Sequence, residues 1–135
     1  MLFRSIQSVN HLKQIGLAAR ILATDNSEKL PDSKDWCDTL MPVAGNPSIF
    51  QRPSDRTGAR SGYGYNSAVA GLSTTKVNPS TVLFFELESG GWNISGGPEL
   101  LRHPRNRSDP IVVCLADGSV QQLRGNQIDS LRWDP

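Results

Sequence analysis

The residues of this chain that could do chemistry are few and widely spaced. Two histidines (His11 and His103) and two cysteines (Cys37 and Cys114) are present. On paper they make a Cys2His2 set, but no Cys-x-x-Cys or His-x-x-x-His spacing draws them onto one zinc ion. The cysteines suit either one disulfide in an exported protein or two buried thiols. Glu86 and Glu88 alternate in a run of β-formers, which puts both carboxyls on one face about 7 Å apart, the range of glycosidase acid pairs. The plainer expectation is polar residues on an edge strand. Asp117 could offer oxygen to calcium, yet calcium needs six to eight oxygens and no aspartate-rich loop surrounds it. Asp117-Gly118 reads instead as a two-residue hairpin turn with both residues at positive φ.

Two arginine strings stand out. Arg52, Arg56 and Arg60 lie in a Pro/Gly-rich stretch without interleaved aromatics, so they are expected to be solvated loop charges rather than a platform for single strands. Arg102, Arg105 and Arg107 flank His103 and could meet a carboxylate or phosphate of a partner. No phosphate loop and no nucleophile elbow occurs. Asn93-Ile-Ser and Asn106-Arg-Ser fit the glycosylation pattern.

The elements that must position these residues follow from composition and periodicity. The 135 residues make one domain, residues 1–135, large enough for its own core, and the net charge of +1 argues against a nucleic-acid binder. With 12 glycines and 9 prolines the chain is rich in loops. Ile6, Val9, Leu12, Ile15, Ala19 and Leu22 recur every three or four residues and predict an amphipathic helix over 5–27, its stripe broadened by Leu17, Ala18 and Ile21. Gly16 weakens that helix by about 1 kcal/mol unless something packs closely against it. Pro31 forbids its continuation.

Residues 31–61 form a loop-rich segment with a short helix at 35–42. Residues 62–68 form a short extended stretch, and strands are expected at 81–87, 111–116 and 119–123, with a glycine-rich loop at 88–99. The apolar run at 111–116 suits a strand buried on both faces. The order predicts an α+β domain in which a long N-terminal helix packs on a small antiparallel sheet spanning 62–135 with its tail.

Taken together, these segments resemble a bacterial family. Asn10-His-Leu-Lys-Gln-Ile-Gly-Leu-Ala resembles the stretch after the membrane anchor of prepilin-like proteins of the type II secretion pseudopilin kind. Ile49-Phe-Gln-Arg-Pro-Ser-Asp, Gly62-Tyr-Gly-Tyr-Asn-Ser-Ala and Thr81-Val-Leu-Phe-Phe-Glu resemble later segments in the same order. Arg102-His103 followed by Ile111-Val-Val-Cys-Leu-Ala-Asp-Gly-Ser-Val resembles the prepilin-processing-associated His…Asp-Gly signature.

The resemblance implies a pilin-like fold and a non-enzymatic assembly subunit of a type II secretion or type IV pilus-like system. Its partners would be other pilin-like subunits or secretion-system proteins, on the periplasmic or extracytoplasmic face of the inner membrane. Ile6, Val9, Leu12, Ile15 and Leu22 would be the assembly helix. The family's apolar anchor helix is expected upstream, so no membrane insertion is expected of these residues. Neither nucleic acid nor an obligate cofactor is implied. Calcium, held in the C-terminal loops of some pseudopilins, would fall to Asp117 and Asp109. The alternative is a soluble binding module on the same scaffold, with a ligand held by loop 88–110 through Trp92, Arg102, His103 and Arg105.

Overall fold

The structure, a computed structural model, describes residues 2–51 and 61–135, with side chains from Ile6 onward. Arg52, Arg56 and Arg60 lie outside the described residues. Helix α1 runs Leu2–Asp25 and α2 runs Trp36–Ala44. The strands are β1 (Ser61–Asn66), β2 (Val82–Gly91), β3 (Ser95–Gly96), β4 (Ile111–Leu115) and β5 (Val120–Leu123). They form an α+β domain with a five-stranded sheet in the order β3-β1-β2-β4-β5.

Helix α1 ends two residues earlier than its periodicity predicts. Ser27 and Glu28 both take positive φ, 56° and 65°, and the Glu28 N–H returns to the Ala23 carbonyl at 2.7 Å. These residues close the helix where a glycine is more usual. Helix α2 passes through Pro42 and stops at Gly45, whose φ of 76° lets its N–H reach the Met41 carbonyl.

The sheet is mixed, which corrects the all-antiparallel expectation. β1, β2, β4 and β5 pair antiparallel with their neighbours, but β3 lies parallel to β1, with Tyr65 opposite Ser95 and Asn66 opposite Gly96. The expected 88–99 loop is therefore partly strand. β2 runs on to Gly91, and β3 follows after a short turn. The β4–β5 turn also differs from expectation. Only Gly118 has positive φ (89°), and Leu115 bonds both the Gly118 N–H and the Ser119 carbonyl. The connection is a three-residue loop of Ala116, Asp117 and Gly118, in which glycine alone takes the left-handed position.

Each face of the sheet carries a core. On one, Leu12, Ile15 and Ala19 of α1 and Trp36 and Leu40 of α2 pack with Tyr63, Tyr65, Phe84, Val112 and Cys114. On the other, Val82, Phe85, Ile111, Val113 and Leu123 are covered by Leu101 and by Ile128, Leu131 and Trp133 of the C-terminal segment. β4 is thus buried on both faces, as its unbroken apolar run predicts.

The stripe of α1 is narrower than its sequence suggests. Leu12 and Ile15 are buried and Val9 and Leu22 partly so, but Ile6 is 48%, Leu17 58% and Ile21 45% exposed. At about 100° per residue these three fall on the side of α1 opposite Leu12, Ile15 and Ala19, turned away from the sheet. Among the described residues no helix is long and apolar enough to cross a membrane.

Candidate functional site

Loop 88–110 holds most of the residues singled out by sequence, and the structure divides them between two places. Trp92 faces the helical side. Its indole Nε1 donates to Asp38 Oδ1 at 2.8 Å, and its ring stands edge-on to Phe50 at 5.3 Å. Next to it, Asn93 at φ 58° turns its carboxamide onto the start of α2. Asn93 Oδ1 accepts from the Cys37 N–H (2.7 Å) and the Asp38 N–H (3.3 Å), while its Nδ2 donates to Asp38 Oδ2 (2.7 Å). The local N-cap, Asp35, makes no side-chain cap bond. A residue far along the chain thus satisfies two of the orphan N–H groups of this helix. The amide of the Asn93 glycosylation pattern is occupied by that role.

Arg102 turns the other way, into a charge network that sequence reading missed. Its Nη2 reaches Glu86 Oε1 at 3.3 Å and the Pro110 carbonyl at 2.6 Å, and its Nη1 donates to Asp109 Oδ2 at 2.8 Å. Glu86 belongs to the central strand, not an edge, and its side chain is only 4% exposed. The same Oε1 also accepts from the Val112 N–H, and Oε2 accepts from Ser8 Oγ. A buried carboxylate is stable only with such partners. The available signal was an acidic residue inside a run of core β-formers, which demands a counter-charge nearby.

The Asp109 carboxyl is pushed up by burial, but the bonds from Arg102 and the Arg105 N–H, with both arginine charges, outweigh that and hold it below its ordinary value. Burial likewise works against the Arg102 charge, and Asp109 and Glu86 overcome it, raising its pKa.

His103 and Arg105 sit at the surface. His103 Nδ1 pairs with Glu88 Oε1 at 2.8 Å, with the two side chains 78% and 52% exposed. Arg105 contributes its backbone N–H to Asp109 and lies on an exposed turn. Glu86 and Glu88 are therefore not an acid pair over a substrate. One is buried with Arg102 and the other binds His103.

Asp109 and Asp117 stand at opposite ends of β4. A five-residue strand separates them by roughly 16 Å or more, so they do not share one ion. Asp117 Oδ1 accepts from the Ser119 N–H and hydroxyl, and these bonds lead the causes that lower its pKa. Among the described residues no three His, Cys, Asp or Glu side chains gather as a metal site.

His11 and the cysteines lie within the fold. His11 Nδ1 meets the Tyr63 hydroxyl at 3.1 Å, and that hydroxyl meets Ser8 Oγ at 3.4 Å, linking α1 to Glu86. Burial lowers the His11 pKa although a bond to the Gln51 backbone raises it. Cys37 and Cys114 are both buried and are not bridged to each other. Cys37 Sγ accepts from the Asn93 N–H.

Comparison of the chain with protein-family models, with curated proteins and with solved structures gives no match in any of the three.

Proposed function

We propose that this domain is a non-enzymatic, pilin-like assembly subunit of a type II secretion or type IV pilus-like system, working on the extracytoplasmic side of the inner membrane. Its partners would be other pilin-like subunits or secretion-system proteins. The observation that carries this reading is the outer face of α1. Ile6, Leu17 and Ile21 fall within about 60° of one another around the helix axis, given 3.6 residues per turn. All three are exposed. A helix with a second apolar row on the side opposite its core stripe is suited to lie against a neighbouring subunit. The ordered segment resemblances, from Asn10-His-Leu-Lys to Asp117-Gly-Ser-Val, support the same reading.

The reading as a ligand-binding module built on loop 88–110 has less support. Trp92 and Arg102, two of its four residues, are engaged with Asp38, Glu86 and Asp109. The test is a chromosomal Leu17→Asp, Ile21→Asp double variant. The expected result is loss of secretion or of the surface filament while the purified domain keeps its melting temperature. Intact secretion and filaments with this variant expressed at parental level would overturn the proposal.

A further inference from the structure

A cleft of about 250 Å³ opens between the end of α1, the 28–30 connection, the segment 74–79 and the β4–β5 turn. It lies away from loop 88–110 and does not depend on the assembly reading. It is smaller than the roughly 300–1,000 Å³ of pockets for drug-sized ligands, so it has room only for a small molecule. Part of the lining is apolar. Leu30, Val77 and Leu83 belong to it and are 4%, 7% and 1% exposed.

The lining also carries both signs of charge, Arg20 beside Asp117, and Glu28. Each is held in place by a neighbour. Arg20 Nη1 donates to the Asp117 carbonyl at 3.1 Å, which leaves its other N–H groups for a further acceptor. Glu28 is gripped twice by Thr74, whose N–H meets the Glu28 carbonyl at 2.7 Å and whose hydroxyl meets Oε2 at 2.9 Å. This grip keeps Glu28 in its left-handed conformation and its carboxylate in place. Asp117 uses Oδ1 for both bonds to Ser119. A second carboxylate oxygen therefore remains on each acid for an ammonium donor.

Apolar side chains together with one guanidinium and two carboxylates suit a zwitterion that carries an apolar side chain. We propose that this cleft binds a free α-amino acid with an apolar side chain. The side chain enters over Leu30, Val77 and Leu83, the carboxylate meets Arg20, and the ammonium meets Glu28 and Asp117. Charge-assisted bonds at both ends fix the orientation, and the apolar lining selects for side-chain size.

The experiment is an amide NMR titration of the whole chain with L-leucine. Three probes each lack one recognition element: 4-methylpentanoate (no ammonium), 3-methylbutylamine (no carboxylate) and glycine (no side chain). Leucine is expected to give saturable shifts at Thr24, Leu30, Thr74 and Ala116 at millimolar concentration, with each probe at least about tenfold weaker. Arg20→Gln and Glu28→Gln are each expected to weaken leucine by a similar factor while the free protein keeps its spectrum. If Glu28→Gln fails to fold, the probe series on the parent chain decides alone. No saturable shift at these amides overturns the proposal. So does equal affinity for leucine and 3-methylbutylamine, which would remove the carboxylate contact at Arg20.

Discussion

The sulfur of Cys114 stands 2.8 Å from the point where a Cβ would begin on Gly16, where α1 crosses β4. Glycine inside a helix costs about 1 kcal/mol relative to alanine. Here that cost is accepted because a methyl group would drive into a strand buried on both faces. Gly16→Ala is therefore expected to destabilise rather than stabilise, by about 1–2 kcal/mol after the propensity gain is subtracted from an overpacking cost. Adding Cys114→Ala should recover most of that loss, and urea denaturation of the two single variants and the double variant measures the coupling. A Gly16→Ala variant more stable than its parent would sink the argument. Burial pushes the Cys114 thiol up to about 12, so alkylation of this residue should await unfolding.

Arg102 bridges Glu86 and Asp109, and its removal leaves a buried carboxylate without its counter-charge. Arg102→Met is expected to cost about 3–5 kcal/mol at neutral pH. The acid side has a definite sign. Asp109 has a folded pKa below its unfolded 3.8. Its contribution is therefore present above 3.8 and lost as pH falls through the lower folded value. The parent should lose stability below about pH 4 more steeply than Arg102→Met, and the two denaturation midpoints should converge in acid. Parallel curves from neutral pH to pH 3 would show that the Asp109 pairing carries no linkage.

The parts of the fold that repeat were legible from sequence, and the parts that depend on a single distant partner were not. The period of α1 located Leu12, Ile15 and Ala19 in the core, and the run Ile111–Leu115 marked the doubly covered strand. Gly16 is the position in α1 where close packing against Cys114 justifies a glycine. Ile6, Leu17 and Ile21 share the helical spacing of the stripe in part, but at about 100° per residue they point opposite Leu12, Ile15 and Ala19, so the sheet leaves them exposed. β3 had no signal, since two residues, Ser95 and Gly96, carry no period and gain their place by backbone pairing to β1. Glu86 and Asn93 each act on groups far along the chain, and a one-dimensional pattern contains no distance. The candidate site suffered most for that reason. Trp92 and Arg102 looked available in sequence and are committed to Asp38 and Asp109 in space.

Asn93 caps α2 from a loop 55 residues away in sequence from Asp38. Asn93→Ala removes the acceptor for two helix N–H groups and places alanine at φ 58°. The expected loss is about 1–2 kcal/mol from the cap alone. Hydrogen exchange should locate it. Protection should fall at Cys37 and Asp38 before it falls in β4, since the core strands open only with the whole domain. Unchanged exchange at those two amides would show that α2 holds its first turn without Asn93.

Trp133 packs edge-on against Phe85 at 5.0 Å, and the chain around it is strapped to the end of β1 and the start of β2. The Val82 N–H donates to the Arg132 carbonyl, Asn66 Nδ2 to the Trp133 carbonyl, and Thr81 Oγ1 to the Asp134 carbonyl. Thr81 and Asn66 are buried, so these acceptors satisfy groups that would otherwise be left unpaired in the core. Trp133→Ala should cost about 2 kcal/mol, below the value for a fully buried tryptophan because the ring is partly exposed. Ending the chain after Leu131 should cost more, since it removes the three carbonyls as well as the ring. Guanidinium denaturation of both variants separates the two contributions. Equal losses would assign the strap to the indole alone, whereas a larger loss on truncation assigns it to the backbone bonds that close the second face of the sheet.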